Sequence, residues 1–168
     1  MGGERIERNM KPTKPDLGLK ESARKGVADL LVRVLADEYV LYTKTRNFHW
    51  NVMGPRFHDL HKFLEGQYEA LDVVIDDVAE RIRSLGEVSP GSLAEFLSAT
   101  RLKEAAGKAL PADDMLGTLL ADHESLIKSL RKDVDRCGGL GDVGTQDFLT
   151  GLLEQHEKQA WMLRSSLE

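Results

Sequence analysis

Apolar residues along this chain recur with a helical period almost throughout. From residue 21 to about 51, Val27, Leu30, Leu31, Val34, Leu35, Val40 and Leu41 fall at spacings of three and four, with Tyr39 and Tyr42 beside them. That pattern predicts a long first helix. Gly54 and Pro55 break it inside the short turn from Met53 to Phe57. A second helix is predicted from about residue 58 to 85, burying Leu60, Leu64, Leu71, Val74, Ile75, Val78, Ile82 and Leu85, with Gly86 as its stop. Residues 86–112 form a long connection marked by Pro90, Gly91, Gly107 and Pro111, in which residues 92–98 suit a short helix. A third long helix follows over about 112–136, with Met115, Leu116, Leu119, Leu120, Leu126, Ile127, Leu130 and Val134 apolar, and the run from Gly138 to Gly141 closes it. The fourth covers about 145–167, burying Phe148, Leu149, Leu152, Leu153, Ala160, Leu163 and Trp161.

Four long helices with one long crossover after the second give an all-α fold, a ferritin-like four-helix bundle whose crossover joins parallel helices and carries a short helix. A chain of 168 residues, 41% hydrophobic and 30% charged, suits one such domain over residues 21–168. Residues 1–20 read instead as a mildly basic, flexible arm in which Pro12 and Pro15 oppose regular structure. No strand-like alternation, internal repeat or glycine-rich phosphate loop is visible, so nucleotide binding and hydrolase-elbow chemistry lack a motif. No apolar run reaches the roughly 18–20 residues of a membrane span, and the N-terminus is too polar for a signal-peptide core. A cytoplasmic protein without a membrane partner is expected, and the lone Cys137 fits a reducing compartment.

The net charge of −5 argues against nucleic acid on the folded surface. Arg5, Arg8, Lys11 and Lys14 in the arm are the one candidate DNA contact; a solvated tail of mixed charge explains them equally well.

The polar positions of the second helix carry the chemistry. His61 and Glu65, and again Asp76 and Glu80, are i,i+4 pairs, and all four fall within a stripe roughly 100° wide. The stripe is turned about 140° from the apolar one, so it borders an interface other than the subunit's own core. His61 and Asp76 stand about 22 Å apart along the axis, whereas the ligands of one metal lie within about 2–2.5 Å of it. As ligands, these residues require a second chain. An antiparallel two-fold copy brings His61 and Glu65 of one subunit opposite the other's carboxylates and creates two sites per pair. Imidazole with carboxylate suits ferrous iron, and the absence of a cysteine cluster disfavours structural zinc. A single His with an i+4 Glu is more often a surface pair. The weight rests on the combination with His49-Trp50 and the Gly-Pro turn.

The run Asn47-Phe48-His49-Trp50-Asn51-x-x-Gly54-Pro55-x-Phe57, then Leu60-His61, Asp76-x-x-Ala79-Glu80-Arg81 and His156-Glu157-Lys158-Gln159-Ala160-Trp161-Met162-Leu163, resembles the DNA-binding proteins from starved cells (Dps), or miniferritins. The resemblance implies a hollow homo-oligomer of twelve subunits with ferroxidase centres at its two-fold interfaces. His49, His61 and Glu65 would come from one subunit, and Asp76 and Glu80 from its partner. It implies oxidation of Fe²⁺ by hydrogen peroxide in preference to dioxygen, and storage of ferric mineral that spares DNA. Several members have Asp where this chain has Glu65, which bears on the number of irons per centre. A structural nucleoid protein that binds DNA through the arm is the rival reading, and a zinc or manganese shell without turnover is a third.

Other residues have two readings each. Trp50 donates an electron near the metal or packs an interface. His58 and Asp59 are auxiliary ligands or helix-start residues, and Asp72 shares the stripe. His123-Glu124 and His156-Glu157 look like bundle-core ligands of larger ferritins, but the resemblance places iron elsewhere and favours interhelix or surface hydrogen bonds. Asp142 and Asp147 fall where the family builds acidic three-fold pores; a loop and a helix N-terminus explain them too.

Overall fold

The computed structural model describes residues 14–107 and 110–168. Its helices are α1 (Glu21–Asn51), α2 (Phe57–Ser84), α3 (Leu93–Ala99), α4 (Ala112–Gly139) and α5 (Val143–Ser165). The all-α bundle and the helix within the crossover appear as the periodicity predicts. α1 packs on α2 and α4 on α5, while α1 also meets α3 and α4. Two apolar clusters fill the bundle: Leu30, Leu31, Val78, Ile82, Leu130 and Leu149 in one, and Leu41, Phe48, Leu64, Met115, Leu119 and Leu163 in the other. No helix among the described residues is long and apolar enough to cross a membrane.

Helix ends follow local chemistry. Ser92 caps α3 in a reciprocal box with Glu95, so the helix begins one residue later than its cap. α2 stops before Gly86, whose φ of +86° and whose contact with Pro15, 2.6 Å from where a Cβ would stand, both require glycine. α4 runs three residues past the expected end at 136, through Gly138 and Gly139. A side chain at 138 would meet Gln146 at 2.6 Å, so Gly138 allows a close helix approach, and the turn itself falls at Gly141 with φ +80°. The crossover is pinned by charge. Fully buried Asp37 accepts from Thr100 Oγ1 at 2.9 Å, the Arg101 amide at 2.5 Å and Arg101 Nε at 2.6 Å, while Arg101 Nη1 reaches Asp133 at 2.8 Å.

Candidate metal centre

The Gly-Pro turn folds the last turn of α1 onto the first turns of α2, and two imidazoles meet there. His49 Nδ1 lies 2.8 Å from the His61 carbonyl oxygen, and His61 Nδ1 lies 2.9 Å from that of His49. A carbonyl only accepts, so each Nδ1 carries the proton and each Nε2 keeps a lone pair, the form in which neutral histidine binds a metal. The rings stack at 3.7 Å between centroids. Phe57 stacks on His61 at 5.1 Å and Tyr68 meets His49 edge-on at 5.1 Å, which fixes both rings from outside the pair.

Glu65 follows His61 by one turn. Lys62 Nζ holds its Oε2 at 2.6 Å. That hydrogen bond pulls the Glu65 carboxyl below the usual carboxylate range, burial opposes the pull, and the charge of Lys62 adds to it, as does that of either imidazole when it is protonated. The carboxylate is therefore ionised one helical turn from the His61 ring.

Asp76 and Glu80 are exposed farther along α2, which is unbroken from Phe57 to Ser84. Along the helix Asp76 stands about 22 Å from His61 and Glu80 about 28 Å. Among the described residues of one chain, no three His, Cys, Asp or Glu side chains gather in a metal-holding group. His49 and His61 meet at one end of the bundle, Glu65 follows one turn on and pairs with Lys62 without forming such a group with them, and Asp76 and Glu80 lie on an acidic face with Asp72 and Asp77.

Trp50 is 65% exposed and lies under Arg46, whose guanidinium carbon is 5.2 Å from its ring centre. His58 and Asp59 are exposed in the first turn of α2, where Asp59 suits the helix dipole. Asp142 is buried as the cap of α5, accepting from the Thr145 amide at 2.9 Å and pairing with Arg81 at 3.0 Å. Its carboxylate is occupied within its own chain, whereas Asp147 is exposed. Lys14 pairs with Glu21, whose carboxyl is lowered to about 2 by hydrogen bonds from Lys14 and Lys25. Arg5, Arg8 and Lys11 lie outside the described residues.

His123 and His156 form an interhelix pair deep in the bundle. His156 Nε2 faces Glu38 Oε1 at 2.8 Å, and the two Nδ1 atoms stand 2.9 Å apart, so one proton lies between the rings. With His156 donating to Glu38, His123 donates to His156 and presents a bare Nε2. That atom, the Gln67 amide and Gln159 Oε1 have no protein partner and line one cavity of about 20 Å³. Burial, then His156, pushes His123 well below its ordinary pKa. Glu124 and Glu157 instead face outward to Arg164 and Arg131.

Sequence reasoning did not weigh Arg46, Lys62, Tyr68 or Glu38. The first two carried a signal in their i+3 and i+4 spacing to Glu65 and Trp50; Glu38 carried none, since its partner lies on another helix.

The ferritin-like domain family matches residues 28–168. An uncharacterized low temperature-induced protein of Nostoc sp. is 49% identical over 154 residues, 91% of this chain and 86% of its own. DNA protection during starvation protein 2 of Bacillus anthracis is 37% identical, covering 85% of this chain and 97% of its own. The crystal structure of a Vibrio cholerae Dps protein, described as a ferritin-like diiron-carboxylate protein, superposes with a TM-score of 0.87 at 29% identity, over 94% of this chain and 99% of that one. These likenesses run along nearly the whole chain, which belongs to the ferritin-like family and, within it, to Dps.

Proposed function

We propose that this protein oxidises and stores iron, and thereby protects DNA, in a twelve-subunit shell. The observation that carries the reading is the pair of imidazoles whose Nδ1 protons are tied to each other's main chain, leaving two Nε2 lone pairs beside ionised Glu65. Fe²⁺ is the substrate. His49, His61 and Glu65 hold it on one side, and Asp76 and Glu80 of the partner subunit complete the centre across a two-fold axis. Two ferrous ions give one electron each to one hydrogen peroxide, and with two waters yield two ferric oxyhydroxide units and four protons. Both reactants of hydroxyl-radical chemistry are consumed together, so DNA is spared without contact. Dioxygen is the slower oxidant. Asp147, exposed near the start of α5, supplies the negative charge that draws Fe²⁺ through a three-fold pore, with Asp142 held as a cap behind it. The Bacillus anthracis and Vibrio cholerae relatives support the reading through the DNA protection and diiron-carboxylate chemistry for which they are named. The shell works in the cytoplasm.

The test is His61→Ala with Glu65→Ala. Neither residue belongs to the core clusters, so the shell assembles, and rapid peroxide-driven oxidation of Fe²⁺ is lost. Unchanged kinetics remove the assignment; tight Zn²⁺ or Mn²⁺ binding without turnover in the unmodified shell removes iron oxidation as the function.

Direct DNA binding through the arm, with association to the nucleoid, is the second reading, favoured by the cations that precede a chain of net charge −5. Gel retardation at low salt that disappears with Arg5, Arg8, Lys11 and Lys14 changed to Gln, at unaltered oxidation rate, supports it. No retardation by the unmodified shell leaves iron chemistry as the sole means of protection.

A further inference from the structure

Arg46 has no part in the reaction above, yet three aromatic rings converge on it. Its guanidinium carbon stands 5.5 Å from the ring centre of Tyr42, 5.2 Å from Trp50 and 5.0 Å from Tyr68. Tyr42, Arg46 and Trp50 follow at i, i+4 and i+8 on α1, one stripe of that helix, and Tyr68 comes across from α2. The Nη1 hydrogen bond goes to the Tyr42 hydroxyl, and Nε is buried without a protein partner. Tyr68 in turn meets His49 edge-on at 5.1 Å and Tyr42 at 6.2 Å. The aromatic group therefore begins at a candidate ligand and ends at an exposed indole, with one cation over all three members.

These rings are the oxidisable side chains beside a centre that meets ferrous iron and peroxide. When a single Fe²⁺ reacts, it gives Fe³⁺, hydroxide and a hydroxyl radical; the radical takes one electron from an indole or phenol and becomes hydroxide, leaving a ring radical cation that then loses a proton. A positive charge over the face of a neutral ring is attracted by its quadrupole. Removing an electron from the ring abolishes that attraction and sets two positive charges about 5 Å apart. We propose that Arg46 is a positioning residue of electrostatic kind: it holds Tyr42, Trp50 and Tyr68 in their neutral forms, so that electrons for the oxidant come from iron and not from the protein. The physiological oxidant in this proposal rests on the iron-oxidation reading, but the electrostatic effect does not, and the two fail separately.

The assembled, metal-free shell is exposed to azide radicals generated by radiolysis. Each takes one electron from an indole and leaves as azide, and the indole radical cation loses its N–H proton. Oxidised Trp50 is counted by peptide mass mapping against oxidised Trp161, an internal reference in α5; in the single subunit the two indoles are 65% and 60% exposed. Arg46→Gln is expected to raise the Trp50 to Trp161 ratio about two- to five-fold, and Arg46→Lys, which restores the charge, to return it toward the unmodified value. Arg46→Met repeats the measurement if the Gln variant does not assemble. An unchanged or lower ratio in the neutral variants, or a Lys variant that matches them, overturns the proposal, because loss of packing alone would affect Lys and Gln alike. A parallel run with Fe²⁺ and hydrogen peroxide serves the other reading. No iron oxidation there sinks the proposed function and leaves the azide result standing on its own.

Discussion

Subunits carrying His61→Ala, co-assembled with subunits carrying Asp76→Ala, should regain centres that neither variant has alone. α2 is unbroken between the two positions, so about 22 Å of helix prevents one chain from bringing both to one ion. In a shared centre the first set of ligands comes from one subunit and the second from its two-fold partner. A mixed pair then has one centre with every ligand and one lacking both His61 and Asp76, whereas a like pair has none intact. With random pairing, the intact fraction is the product of the two subunit fractions, and it peaks at about one quarter in an equal mixture. Stopped-flow absorbance of ferric iron reads this directly as the amplitude of the fast phase. Each homogeneous shell should show almost none, and the equal mixture about one quarter of the unmodified amplitude. Mass spectrometry of isotopically distinguished subunits verifies mixing. Zero fast phase at every ratio in a verified mixed shell would refute the shared centre.

Acid should weaken the fold in part through His123. Its folded pKa lies well below the ordinary 6.5, so between those values the unfolded chain binds a proton that the native one does not. Stability is therefore full above about pH 6.5 and falls as the pH drops, by up to about 1.4 kcal/mol per pH unit for this one group. Unfolding midpoints at fixed protein concentration should fall less steeply below pH 6.5 in His123→Gln; identical acid slopes would contradict the reasoning. Cys137 is buried, and burial followed by Asp142 and Asp133 pushes its thiol up to about 11. It should resist maleimide at neutral pH in the native shell and react once denatured; quick labelling of the native protein would show an open path to α4.

The helices were legible because the apolar period persists through every long one, and the meeting of His49 with His61 followed from the short Gly-Pro turn that joins their two helix ends. Charge and geometry between distant positions were not. Gly138 and Gly139 read as a helix stop, yet they continue α4, and Gly138 makes room for Gln146, a residue that lies beyond the turn. Asp142 read as pore acid, loop residue or helix N-terminus; it does cap α5, but its pairing with Arg81, sixty-one positions earlier, had no local sign. Glu38 sits in the middle of the core pattern of α1 without any local sign of its partner, because His156 comes from the other end of the chain. In each case local periodicity records which face is buried but not which side chain from another helix waits there.

In the proposed centre, the mutual hold of His49 and His61 orients two imidazoles before any metal arrives. Two donors already oriented lose little freedom on binding, so a lone subunit should capture a first ferrous ion without its partner. With the remaining carboxylates on the partner subunit, that ion supplies positive charge where Asp76 and Glu80 are to dock. Metal and partner then favour each other's binding by the same factor, as linkage requires. Iron in this arrangement is cargo and also a cohesive agent: its concentration would set how tightly the two-fold pairs hold, and its removal would loosen the contacts at which it was oxidised.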